Sequence, residues 1–73
     1  MKLKFKNNYT ASIIKGYGAE ENLWEVAVLH NNKVVYDTPI TDDVLGYLSD
    51  EEVVKAVTDI MNLPYRPITT TIW

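Results

Sequence analysis

The stretch Leu23-Trp-Glu-Val-Ala-Val-Leu-His-Asn-Asn-Lys-Val-Val-Tyr36 decides the fold. Leu23 to His30 is dense in β-branched and aromatic residues, the composition that suits a pleated, half-buried surface. Asn31-Asn32 supplies two residues that tolerate left-handed backbone, so Lys33 to Tyr36 is expected to fold back as the next strand. Upstream, residues 2–6 alternate Leu3 and Phe5 with Lys2, Lys4 and Lys6, a period of two that reads as a strand. Asn7-Asn8 predicts a tight hairpin. Tyr9 to Tyr17 then forms a second strand, with Ile13-Ile14 at its centre and Gly16 and Gly18 at its exit. Ala19-Glu-Glu-Asn follows as a polar loop. Links this short give three or four antiparallel strands in a meander, while leaving the place of the first strand and of the tail open.

Downstream the pattern changes period. Pro39 cannot continue a ladder, so Asp37-Thr38-Pro39-Ile40 leaves the sheet. Thr41 is positioned to cap a short helix over Asp42 to Leu48, with Asp42 and Asp43 on the favourable end of its dipole. Ser49-Asp-Glu-Glu52 is a capping box, in which Ser49 caps and Glu52 reaches back. Val53, Val57 and Ile60, with Val54 and Met61, make an apolar stripe at helical spacing, and Pro64 stops the helix. The fold class is therefore α+β: an antiparallel meander, a short helix, then a longer amphipathic helix packed on one sheet face. Residues 1–64 form the domain. Residues 65–73 form a tail in which Ile68, Thr70 and Ile72 alternate with Thr69, Thr71 and Trp73, the composition of an extra edge strand for this chain or for another copy.

Charge is distributed unevenly. Five lysines against Glu20, Glu21 and Glu25 leave +2 in residues 1–36. Asp37, Asp42, Asp43, Asp50, Glu51, Glu52 and Asp59 against Lys55 leave −6 in residues 37–64, and Arg66 adds +1, for a net −3. An acidic end of this kind attracts a basic surface. The same balance argues against direct binding of nucleic acid, which needs several cations placed on phosphates. The alternating lysines near the N-terminus read first as the solvated face of an edge strand, where they suppress aggregation.

The 73 residues are near the lower limit for one unstapled core; a chain of about 60 residues buries only about 60% of its unfolded surface. The absence of cysteine excludes disulfides, thiolate zinc and cysteine nucleophiles, and fits a reducing cytoplasm. Met1-Lys-Leu-Lys-Phe-Lys has no apolar core of a secretory signal. No apolar run approaches the roughly 20 residues of a membrane span.

Signals of catalysis are sparse. His30, the single histidine, sits beside a turn and reads as a solvated turn residue rather than a general base. Gly16-Tyr-Gly18 lacks the third glycine and the helix of a phosphate loop. Asp37, Asp42 and Asp43 do not have the spacing of a calcium loop, and helix capping explains two of them without a metal. A non-enzymatic chain without cofactor or metal is expected.

Surfaces remain. Glu51, Glu52, Lys55, Thr58, Asp59 and Asn62 lie off the helix stripe, and their acids, joined by Asp42 and Asp43, form an outward acidic face. One reading is a solvated face with dipole-favoured acids in its first turn. The other is a decoy: spaced carboxylates occupy a basic groove, because the cations that grip phosphate grip carboxylate through the same charge-assisted hydrogen bonds. Tyr36, Tyr47, Tyr65 and Trp73 would supply anchoring area, or serve as packing; Trp24 is assigned to the core.

The run Val35-Tyr-Asp-Thr-Pro-Ile-Thr-Asp-Asp-Val-Leu-Gly-Tyr-Leu-Ser-Asp-Glu-Glu-Val53, preceded by Tyr9-Thr-Ala-Ser-Ile-Ile-Lys-Gly-Tyr-Gly18, resembles small uncharacterised proteins of phages and prophages of Gram-positive bacteria. The resemblance implies a short phage protein acting in the host cytoplasm that binds and blocks host machinery, CRISPR nucleases included. The expected binding residues are Asp37, Asp42, Asp43, Asp50, Glu51, Glu52, Asp59 and Tyr47, and the expected partner is a host protein with a basic nucleic-acid-binding groove. The alternative is an assembly module that self-associates, as a homodimer for instance, through its sheet edge and tail.

Overall fold

The computed structural model describes residues 1–15, 23–40 and 45–68. The strand exit at Gly16 and Gly18, the loop after it, the Thr41 cap, Asp42, Asp43 and the end of the tail lie outside the described residues. The fold is α+β, an antiparallel sheet with one helix on it. Strands β1 (Lys2–Lys4), β2 (Tyr9–Lys15), β3 (Trp24–His30) and β4 (Lys33–Val34) lie side by side in chain order, and a fifth, β5 (Leu45–Leu48), also pairs with β3. The far edge of β3 is thus shared end to end. β4 takes Leu29 and His30, and β5 takes Trp24 and Val26.

Register decides which side chains are buried. Tyr9, Ala11 and Ile13 of β2 stand opposite His30, Val28 and Val26 of β3, so all six point to one face. Helix α1 (Asp50–Met61) covers that face, and Ala56, Ile60 and Leu63 complete the buried cluster with Tyr9, Ala11, Ile13, Val26 and Val28. The helix stripe is therefore rotated from the sequence expectation. Val53 and Val57 flank the core, whereas Val54 and Met61 are exposed. Ala56 fits directly over the sheet because a helix packs closest through a small side chain.

The short helix expected to run to Leu48 is not what residues 45–48 form. They are strand β5, because Leu45 and Leu48 both reach the core face beside Val26 and Trp24. Three steps along β5 match two along β3, so one extra residue is accommodated as a bulge. Tyr47 takes the irregular backbone there, at φ 57°.

The two asparagine pairs form different turns. His30 pairs directly with Lys33, and Asn31 and Asn32 have φ of 54° and 65°, which is the type I′ hairpin. Between β1 and β2 the loop is longer: Phe5 N–H donates to Tyr9 O (2.9 Å), Asn8 N–H donates to Phe5 O (3.2 Å), and Asn8 is left-handed at φ 73°. That arrangement is a turn followed by one left-handed residue. It frees the Asn7 side chain to point inward.

Candidate acidic surface

The sequence-expected acids fall into separate environments. Asp50, Glu51 and Glu52 occupy the first turn of α1, where the unsatisfied amides and the helix dipole favour negative charge. Ser49 caps this turn. Its hydroxyl accepts from Glu52 N–H at 3.3 Å while the Glu52 carboxylate accepts from Ser49 N–H at 3.0 Å, the reciprocal box expected from sequence. The Ser49 backbone bond, seconded by the Ser49 side chain, holds the Glu52 carboxyl below the usual glutamate range. Asp50 accepts from the indole Nε1 of Trp24 at 2.7 Å. Over the face of the same ring, Lys15 Nζ lies 4.7 Å from the ring centroid. Lys15, Trp24 and Asp50 thereby tie the end of the sheet to the start of the helix. Trp24 is packed against the core as expected, with its polar edge turned outward.

Asp59 and Asp37 differ in having cationic partners. Lys55 Nζ meets Asp59 Oδ2 at 2.8 Å, one helical turn away. Arg66 Nη1 meets Asp37 Oδ1 at 3.0 Å. Both pairs are solvated and add little to stability, but each cancels the charge that a decoy surface would present. Asp37 also lies apart from the helix acids. It follows β4 and meets the Arg66 side chain, whereas Asp50 meets the Trp24 indole at the start of β3. Tyr47 projects from the bulge just before the helix and is 73% exposed. Of the expected binding residues, the structure gathers Asp50, Glu51 and Glu52 in one helical turn, leaves Tyr47 exposed three residues upstream in the chain, and pairs Asp37 with Arg66 and Asp59 with Lys55. Asp42 and Asp43 lie outside the described residues.

A second polar centre, without a local signal in the sequence, surrounds Asn7. Asn7, only 8% exposed, directs Nδ2 at the carbonyls of Ile60 (2.9 Å), Leu63 (3.0 Å) and Met61 (3.2 Å), while its Oδ1 accepts from Tyr9 N–H at 2.9 Å. It caps the helix C-terminus from the first hairpin. The segment after Pro64 docks beside it. Arg66 N–H donates to Asn7 O (3.0 Å), and Arg66 O accepts from Asn8 Nδ2 (3.0 Å) and from His30 Nε2 (3.1 Å). A carbonyl only accepts, so Nε2 carries the proton. His30 also sets its ring 5.7 Å from that of Tyr9. It is a packed structural residue, not a solvated one.

Among the described residues, no group of three metal-ligating side chains converges. No helix of the described residues is long and apolar enough to cross a membrane. No protein-family model matches the chain, and neither a curated protein nor a solved structure shows significant similarity to it.

Proposed function

We propose that this chain is a non-enzymatic inhibitor of phage type that occupies a basic, nucleic-acid-binding groove of a host protein, with CRISPR effector nucleases the first class to test. The observation that carries the reading is the turn Asp50-Glu-Glu52. Its three carboxylates are exposed, and none forms an ion pair among the described residues. Asp50 and Glu52 bond only to neutral donors, which fix their positions without reducing their charge. Such preset carboxylates are what a cluster of arginines or lysines recognises, at low entropic cost. Tyr47, exposed three residues before Asp50 in the chain, would add an aromatic anchor.

The test is the isosteric triple variant Asp50→Asn, Glu51→Gln, Glu52→Gln, which keeps the acceptors for Trp24 and Ser49 and removes three charges. The tagged wild-type chain should retain a nucleic-acid-binding protein from a phage-sensitive Gram-positive lysate, release it at moderate salt, and lose it to added DNA or RNA. The triple variant should elute that protein at lower salt. Equal retention of the same protein by a folded triple variant would sink the proposal.

Self-association through the sheet edge is the less supported reading. Two copies paired antiparallel through β1 would set Lys2 and Lys4 against the same lysines of the second copy, an unfavourable arrangement. Its test is the solution mass of the chain truncated after Ile68. A cut nearer the helix would remove Arg66 and its bonds to Asn7, Asn8 and His30, and so confound stability with assembly.

A further inference from the structure

β1 is the outermost strand of the sheet, and its outer side has no partner strand among the described residues. The ladder on its inner side shows which backbone groups are left over. Met1 N and O bond Ile13 O and N, both at 2.8 Å, and Phe5 N–H bonds Tyr9 O, so odd-numbered residues face β2. Antiparallel alternation then turns the N–H and C=O groups of Lys2 and Lys4 outward, ready for another strand. Next to this edge, on the helix side, is an apolar groove of about 320 Å³ lined by Met1, Leu3, Ile13, Trp24, Val54 and Val57. Val54 is 66% exposed there, and Met61 continues the apolar strip along the helix. On the opposite face of the same strand stand the ammonium groups of Lys2 and Lys4, with Lys6 just beyond in sequence.

We infer that this edge captures an extended segment of a partner protein in which apolar residues alternate with acidic ones. The two faces of the edge select that pattern together. A strand hydrogen-bonded to Lys2 and Lys4 places every second side chain over the groove, where an aliphatic group is desolvated against Leu3 and Val54. The intervening side chains lie beside the lysines, where a carboxylate is attracted and an ammonium repelled. The alternation that keeps two copies of this chain from pairing thus admits a strand of opposite charge. This surface is distinct from the acidic turn of α1, and neither depends on the other.

The probe is an acetylated, amidated peptide of about six residues, the usual length of a strand, alternating glutamate and valine. Its titration into the ¹⁵N-labelled full chain should move the amide resonances of Lys2, Leu3, Lys4, Val54 and Val57 in a saturable way that weakens with salt. A peptide alternating lysine and valine, and one with the same glutamates and valines in two blocks, should bind about tenfold more weakly or not at all. Lys2→Glu with Lys4→Glu should invert the preference toward the lysine peptide, and Val54→Asp, at an exposed helix position, should abolish binding of both. The inference is overturned if the alternating acidic peptide leaves these resonances unmoved at millimolar concentration. It is equally overturned if the blocked peptide binds as well, if the charge-reversed variant keeps the original preference, or if the shifts map to the open sheet face instead.

Discussion

At the scale of single residues, Asn7 concentrates the most consequence. Its amide supplies the donor for three carbonyls at the end of α1 and the acceptor for Tyr9 N–H, all within 3.2 Å and largely shielded from water. Asn7→Ala leaves those groups without partners, at a cost of about 2–3 kcal/mol, to be read as a lower urea midpoint at unchanged m-value. Tyr47 predicts the opposite sign. A tyrosine at φ 57° strains its backbone, and glycine relieves that strain while forfeiting some unfolded-state entropy advantage. Tyr47→Gly should therefore raise stability by about 0.5–1 kcal/mol; a fall in melting temperature would mean that its ring contributes packing after all. Neither role was legible in the sequence. Asn7-Asn8 signals a turn, and nothing local reveals that one of its side chains reaches a helix 53 residues later. The packing of His30 is hidden from the sequence for the same reason: its partners, Tyr9 and Arg66, are distant in the chain.

Elements were more legible, because periodicity and caps are local. Strand two through Lys15, strand three, the Asn31-Asn32 hairpin and the capping box at Ser49 form where the sequence places them, while the first strand stops at Lys4 and the fourth at Val34, short of the expected Lys6 and Tyr36. Residues 45–48 are the informative failure. Leu45 and Leu48 are three apart, a spacing that fits a helix turn as well as a bulged strand, and only the vacant edge of β3 decides between them. The helix stripe failed at its margins too, since Val54 and Met61 share helical spacing with true core residues but stay exposed, Val54 beside Met1 and Leu3. Two predictions belong here. Ser49→Ala should cost about 1 kcal/mol, measured by denaturation. Glu52 is bound more favourably as carboxylate in the folded state, so its contribution is present above the usual glutamate range and is lost as pH falls through the lowered folded value. The stability difference between wild type and Glu52→Ala should shrink accordingly between neutral and strongly acidic pH. A difference that persists in acid would assign the effect to contacts that do not need the charge, since alanine has the higher helix propensity.

For the molecule as a whole, charge segregation was visible in the sequence, but its geometry was not. Sequence alone offered one acidic face; among the described acids from Asp37 onward, the first helical turn keeps Asp50, Glu51 and Glu52 without cationic partners, whereas Asp37 pairs with Arg66 and Asp59 with Lys55. Mutating Asp37 to Asn should thus leave partner retention unchanged where the helix-turn triple variant weakens it. The Asn7 cap, described above as a local contact, also governs how the molecule opens. The last turn of an isolated helix normally frays with almost no free-energy cost. Here its carbonyls are tethered to the first hairpin, so those peptide groups cannot separate without also uncoupling β1 and β2 from α1. Amide hydrogens of the final helical turn should consequently exchange with solvent through the same opening that releases the central strands, at matching protection. In the Asn7→Ala chain they should exchange orders of magnitude sooner, turning one cooperative unit into a sheet with a loose-ended helix.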